Sequence, residues 1–274
     1  ARAERGEDDA GRSALAEIRR RHLDMARHLG LERGDREDAE RDLDAVLEEV
    51  AALLDAARLR ASRPLPAPTR ARLLAAGERL SAPLLARAIG RAGREAQALD
   101  AADLVVSEPG DPLDARVDFR ATRPRVLSAL GELPEGTVAV VTGFAAATPE
   151  GEPALLGRGG SDTTATVLGA ILDAERVEIW TDVDGVLTGD PRRDANATLL
   201  PRLSYAEAER RALGGAVVLH PRSVAPAARA GVPILVRNSF RPERPGTWIG
   251  PAGSTRDSGS PEPPRPPKAR RLRV

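Results

Sequence analysis

Leu155-Leu-Gly-Arg-Gly-Gly-Ser-Asp-Thr-Thr-Ala-Thr-Val-Leu-Gly-Ala-Ile-Leu-Asp-Ala-Glu-Arg-Val-Glu-Ile-Trp-Thr-Asp-Val-Asp-Gly-Val-Leu-Thr-Gly-Asp-Pro-Arg192 holds two glycine-bearing turns separated by one helix and one strand. The first turn, Gly157–Asp162, carries the cation Arg158 and ends on Ser161 and Asp162, both good N-cap residues. In the helix that follows, Ala165, Leu168 and Leu172, with Ile171 beside them, recur at spacings of three and four. Val177, Ile179 and Trp180 then read as a short buried strand, which ends in Thr181-Asp182-Val183-Asp184-Gly185, a turn with two carboxylates. A glycine loop feeding a helix N-terminus directs free backbone N–H groups and the positive end of the helix dipole at an anion. Acidic turns at strand ends suit a Mg–nucleotide, because Mg²⁺ takes oxygen ligands and shares the phosphates. Together these features point to phosphoryl transfer.

Composition narrows the surroundings of this stretch. The chain has 274 residues and 41% hydrophobic content, enough for one good-sized domain or two small ones. Aromatic residues are only 2%, so the core must be built from Leu, Val and Ala. Lys plus Arg balance Asp plus Glu at 41 each, which argues against nucleic-acid binding by bulk charge. The absence of cysteine excludes disulfides and thiolate metal sites and fits a cytoplasmic protein. No apolar run approaches the roughly 20 residues of a membrane span, and there is no signal-peptide pattern. The sequence opens at Ala1 in charged residues, without an initial strand, and its one lysine is Lys268.

Residues 1–12 read as a frayed polar lead. A helix from Ser13 to Leu29 follows, with Leu15, Ile18, Met25 and Leu29 on one stripe. A turn at Leu31–Asp35 leads into a second helix to about Leu59, so the two form an antiparallel hairpin. Pro64, Pro66 and Pro68 break the chain. Ala71–Ala76, then Gly77–Ser81 with a helix to about Ile89, come next. Leu104–Val106 and Val138–Val141 read as strands, with a helix over Pro124–Leu130 between them and Thr142-Gly143-Phe144 closing the second strand. Beyond the central stretch lie a helix at Tyr205–Leu213, the loop Gly214-Gly215, a short strand or helix start at Val217–Leu219, a helix at Pro221–Ala230 and an apolar strand at Pro233–Val236. From Arg241 onward the Pro-, Gly-, Ser- and Arg-rich composition reads as tail or linker. Strands alternating with helices imply a mainly parallel sheet, and Gly143, Gly157–Gly160 and Asp182–Gly185 fall at or next to strand ends, where ligands bind in such folds.

Two other readings of Asp182–Thr188 fail. It resembles the first motif of haloacid-dehalogenase-type phosphatases, but an acidic motif following within a few residues has the wrong spacing, and that chemistry expects a lysine. An EF-hand needs alternate oxygen ligands and a terminal Glu, which the loop lacks. Glu78 serves as a helix-dipole partner or as a ligand, and Ser161 as an N-cap or a ligand. His22 and His28 sit on a charged helix as solvated residues, and His220, between Leu219 and Pro221, reads as structural.

Five ordered blocks then resemble the aspartate kinases: Gly77-Glu78-Arg79-Leu80-Ser81, Thr142-Gly143-Phe144, Gly157–Asp162, Trp180–Val186 with Asp190-Pro191-Arg192, and Gly215–Arg222. The likeness is greatest to the kinase portion of bifunctional or fused enzymes. It implies the amino-acid-kinase fold, a three-layer αβα sandwich around a mainly parallel open sheet. It also implies transfer of the ATP γ-phosphoryl group, with Mg²⁺, to the β-carboxylate of L-aspartate, the entry reaction to lysine, threonine and methionine biosynthesis. Carried over by position, Glu78, Phe144, Arg158 and Ser161 bind aspartate, Arg158 pairing with its carboxylate, and Asp162 organises the site. Thr181, Asp182, Gly185 and Arg192 line the nucleotide. The expected division is a helical hairpin region at 1–62, a kinase core at 63–250 and a tail at 251–274. The expected partners are a homo-oligomer or a fused second enzyme domain, with no nucleic acid, no membrane and no protein-held metal.

The chain departs from the family in three places. The first strand and its Lys-Phe-Gly-Gly loop are not among the 274 residues, Val217 stands for the lysine of the Gly-Ala-Lys-Val-Leu-His-Pro block, and Leu187 stands for a tyrosine near the nucleotide. The alternatives are a degenerate, non-catalytic binding module of a fused enzyme, or an amino-acid kinase acting on glutamate or acetylglutamate.

Overall fold

The computed structural model describes residues 2–58, 64–189, 196–213 and 218–251, with backbone alone over 2–10. Along the chain run α1 (Arg2–His28), α2 (Arg33–Arg58), α3 (Ala67–Arg91), β1 (Ala96–Leu99), α4 (Ala101–Leu104), α5 (Phe119–Gly131), β2 (Val138–Val141), β3 (Ala145–Ala147), β4 (Pro153–Leu155), α6 (Gly160–Ile171), β5 (Val177–Thr181), β6 (Arg202–Ser204), α7 (Tyr205–Leu213), α8 (Pro221–Ala230), β7 (Ile234–Asn238) and β8 (Thr247–Gly250). This is an α/β protein whose leading pairing is parallel: β1 with β2, β5 with β7, and β6 with β8. The β3–β4 and β7–β8 pairs are antiparallel. Two compact units emerge, one of Ala1–Arg125 with Glu132–Gly157, the other of Val126–Gly131 with Arg158–Val274.

In the first unit, α1, α2 and α3 close on a core of Leu43, Val46, Leu47, Ala76 and Leu80, with Leu15, Ile18, Leu23 and Val50 packed against it. A second cluster of Ala26, Leu31, Ala39 and Leu84 seals the α1–α2 turn. Charged side chains link neighbouring helices: Arg19 to Asp44 at 2.7 Å, Arg79 to Glu49 at 2.7 Å and Arg87 to Asp42 at 2.6 Å. On the surface of α1, hydrogen bonds from Arg20 and Arg21 hold the Glu17 carboxyl down to about 2. The β1–β2 pair rests on α3 through Ala82, Ala86 and Val140. Asp100 caps α4 by accepting from Ala102 N at 2.9 Å, and its carboxylate also accepts from the Thr142 hydroxyl at the end of β2.

In the second unit the sheet order is β5-β7-β8-β6. Its inner face supplies Val177, Ile179, Leu203, Ile234, Val236 and Ile249, which meet Ala208, Val224 and Ala227 from α7 and α8. Ile234, Val236 and Ile249 are fully buried, and side chains of this size each stabilise by about 2 kcal/mol. Pro221 at the first turn and Gly231 in the left-handed region just past the end fix both ends of α8.

Several expectations are corrected. The backbone is helical from Arg2, so residues 2–12 continue α1 instead of fraying. Met25 and Leu29 are exposed, and Ala26 and Leu31 take the buried places. α3 runs unbroken through Gly77 and Pro83, since Pro83 loses only one backbone bond and packing on both sides holds the helix. Leu104 ends α4, and Val106 makes only an isolated bridge to Ala147, so 104–106 is not a strand. α5 begins at Phe119 and contains Pro124 within it. Residues 247–250, inside the stretch read as linker, form β8 between β7 and β6. Val217 lies outside the described residues, and Val218 and Leu219 are in a turn.

Candidate active site

In the first unit, Glu78 projects from α3, and its Oε2 accepts from Gly143 N at 3.4 Å. That bond ties the helix to the Thr142–Phe144 turn that closes β2. Phe144 sits at φ +68, a left-handed conformation that costs a non-glycine residue about 1 kcal/mol. The turn is held by Leu156 N donating to Phe144 O at 2.9 Å and Ala145 N to Gly143 O at 2.7 Å. A side chain held in such a conformation is a mark of functional turns.

In the second unit, α6 starts at Gly160 and its N-cap is Gly159, in the left-handed region with no side-chain cap. Ser161 and Asp162 therefore stand in the first helical turn, which corrects the reading of them as caps. A Cβ on Gly159 would lie 2.6 Å from the Cβ of His220, so this turn and the start of α8 approach as closely as glycine permits. The buried face of α6 is Thr163, Thr164, Thr166, Val167 and Ile171, while Leu172 is exposed. Of the stripe read from the sequence, Ile171 is buried and Ala165 packs against the core, and the threonines share the buried face because they satisfy their own hydroxyls: Thr163 and Thr164 donate to Gly159 O and Gly160 O at 2.9 and 3.0 Å. Arg158, Gly159 and Asp162 face Leu213, Leu219 and His220 across a cavity of about 370 Å³. Burial pushes the Asp162 carboxyl above its ordinary range. His220 caps α8, with Nδ1 accepting from Arg222 N at 3.3 Å. The cap gives His220 a structural task at the start of α8.

The turn after β5 separates its two carboxylates. Asp182 is exposed and accepts from the Thr181 hydroxyl at 3.2 Å. Asp184 is engaged by the chain itself: its Oδ1 accepts from Asn238 Nδ2 at 2.7 Å and pairs with Arg241 at 3.0 Å. Gly185 has φ +139, and a Cβ there would stand 2.5 Å from Thr247 Oγ1 and 2.8 Å from Leu199 Cδ1. The close approach that Gly185 allows is thus to the chain's own β8. Trp180, expected in a buried strand, is half exposed, and Arg237 stacks over its ring at 4.6 Å. Arg192 lies outside the described residues. Asn238, fully buried beneath the turn, was missed, although it continues the inward alternation of Ile234 and Val236, where a polar residue needs a reason. Among the described residues, no cluster of three or more His, Cys, Asp or Glu side chains is placed to hold a metal ion, and no helix is long and apolar enough to cross a membrane.

A glycine-capped helix N-terminus preceded by an arginine, in an α/β unit whose strand-end turn exposes a carboxylate, is an arrangement whose helix end suits an anion. The chain belongs to the amino acid kinase family, whose model matches residues 13–238. It is 39% identical over 173 residues to the chloroplastic bifunctional aspartokinase/homoserine dehydrogenase 1 of Zea mays, covering 63% of this chain and 19% of that protein. It is 35% identical over 238 residues to the chloroplastic aspartokinase 3 of Arabidopsis thaliana, covering 86% and 41%. Among solved structures, E. coli aspartokinase III in complex with aspartate and ADP superposes with a TM-score of 0.70 at 30% identity, over 84% of this chain and 56% of that one. The chain thus spans between about a fifth and about a half of the length of these relatives.

Proposed function

We propose that this chain is the kinase portion of an aspartate kinase, which transfers the γ-phosphoryl group of ATP to the β-carboxylate of L-aspartate. The observation that carries the reading is the likeness over 84% of the chain to an aspartokinase bound to aspartate and ADP. The Arg158–Asp162 turn at the head of α6 supports it locally. Substrate binding is assigned to Glu78, Phe144, Arg158 and Ser161. The Arg158 guanidinium offers a carboxylate two parallel N–H donors, and the first-turn N–H groups of α6 add the positive end of the helix dipole. Asp162 organises these groups from its half-buried place. Nucleotide binding is assigned to Thr181, Asp182, Gly185 and Arg192.

Phosphoryl transfer asks a protein mainly for positioning and charge stabilisation, and the rigid turns at the ends of α6 and β5 suit that task. Mg²⁺ enters with the nucleotide phosphates, needing only one or two protein carboxylates, and the exposed Asp182 fits that role. The names of the bifunctional relatives support a native protein fused to a second enzyme domain, with a homo-oligomer as the other form. The cysteine-free sequence fits a cytoplasmic setting, whereas the plant relatives are chloroplastic by name.

Isothermal titration of the chain with Mg–ATP, with and without L-aspartate, tests the proposal. Binding of both ligands, each strengthening the other, is the expected result. Nucleotide binding with no response to aspartate, but a response to glutamate or acetylglutamate, would overturn the substrate assignment. Binding of both without ADP formation, and no rescue of turnover when a Lys-Phe-Gly-Gly segment is restored upstream, would identify a non-catalytic module.

A further inference from the structure

The turn assigned to the nucleotide is held from behind by the loop that follows β7. Ser239 N donates to Thr181 O at 2.8 Å. Asn238, only 2% exposed, donates through Nδ2 to Asp184 Oδ1 at 2.7 Å. Its own Oδ1 accepts from Phe240 N at 2.8 Å and Arg241 N at 3.2 Å, so the one amide fixes its own loop and the turn together. Arg241 pairs with Asp184 Oδ1 at 3.0 Å, and Arg244 approaches Oδ2 at 4.0 Å. At the far end of the turn, Val186 N donates to Thr247 Oγ1 at 2.8 Å. Residues 181, 184 and 186 are therefore each bonded to the segment 238–247, whereas Asp182 has no bond to that segment among the described residues.

We propose that Asp184 and Asn238 are a positioning pair that sets the orientation of the Thr181–Asp182 turn for the nucleotide, an inference that rests on the nucleotide assignment of that turn. Two carboxylates two residues apart have different work. Asp182 is presented outward, and Asp184 is neutralised by Arg241 and hydrogen-bonded to a buried amide, so its charge does not repel a polyphosphate. A buried amide that loses its carboxylate partner is left with an unsatisfied donor, and the turn loses its anchor. Misplacing binding groups by about 1 Å is enough to cost up to about 100-fold in function.

The test is titration of the whole chain with Mg–ATP, and separately with L-aspartate, for wild type, Asp184→Ala, Asp184→Asn and Asn238→Ala. Asp184→Asn keeps the acceptor for Asn238 and is expected to stay within about threefold of the wild-type nucleotide affinity. Asp184→Ala and Asn238→Ala are expected to weaken Mg–ATP by about tenfold or more while leaving aspartate affinity unchanged. Hydrogen exchange at the amides of 181–186 should quicken in the two alanine variants alone. If Asp184→Ala does not fold, Asn238→Ala carries the comparison. Nucleotide affinity in the folded alanine variants equal to wild type, or a parallel loss of aspartate affinity, would overturn the pair's role. If wild type itself binds no Mg–ATP, the nucleotide assignment falls, and this proposal falls with it.

Discussion

The two glycine turns of the second unit look alike in sequence and are shaped by opposite means. The turn at the head of α6 is set by its glycines: Gly159 adopts the left-handed conformation, no side chain caps the helix N–H groups, and His220 packs against the glycine. Its polar side chains, Arg158 and Ser161, stay exposed. The turn after β5 is set by side chains: Asp184, Asn238 and Thr247 are all committed to internal bonds, and Asp182 alone is presented outward. A motif whose shape is secured by glycine leaves its charges available to a ligand. A motif secured by polar contacts has already used one of them, so counting carboxylates overstates what the second turn offers.

Substitutions that attack each turn's own means of support would break or sharpen this contrast. Gly185→Ala should be the most damaging, because φ +139 is strained for any other residue and the new Cβ meets the backbone N of Thr247 at 3.1 Å as well as two side chains. A loss of about 3–5 kcal/mol in urea unfolding is expected. Gly159→Ala meets mainly the His220 side chain, and a loss of about 2–3 kcal/mol is expected from the same measurement. Equal losses at the two sites would contradict the difference drawn here.

Arg158→Ala should leave stability within about 0.5 kcal/mol, since the residue is exposed, yet cut aspartate affinity by about 10- to 100-fold in calorimetry. Stability falling along with affinity would mean that the first turn also depends on its side chains.

The smallest effect concerns Asp162, whose folded pKa burial raises above the ordinary 3.8. The folded state then binds the proton more tightly than the unfolded one. Its stabilisation is fully present below the unfolded value and is lost as pH rises through the folded value. Asp162→Asn should therefore melt slightly higher than wild type at neutral pH, with the gap closing on acidification. A gap that is constant with pH would remove the burial explanation.

The elements that the sequence disclosed carry their own punctuation. α7 and α8 fall at the residues read for them, α8 because Pro221 opens it and Gly231 closes it. The glycine turn before α6 and the acidic turn after β5 were legible for the same reason, and so was the family. β3, β4 and β6 are three residues each, too short for an alternation to declare itself, and β1 is Ala-Gln-Ala-Leu. β8 was hidden by the prolines and glycines around it, although Trp248 and Ile249 are the apolar pair within it. The different tasks of Asp182 and Asp184 were not legible, because the partner that separates them, Asn238, lies 54 positions further along the chain.

The place of β8 also dictates an order of events. β7 pairs with it on one side and β6 on the other, and among the described residues β6 has no other strand partner. During synthesis, β5 and β7 are able to zip together once Asn238 has left the ribosome, but β6, made some forty positions earlier, must wait until Gly250 emerges. The unit thus stays open at its middle until almost its last described residue is made, and a nascent chain halted before Thr247 would display β6 and the edge of β7 to whatever chaperone or neighbouring chain meets it first.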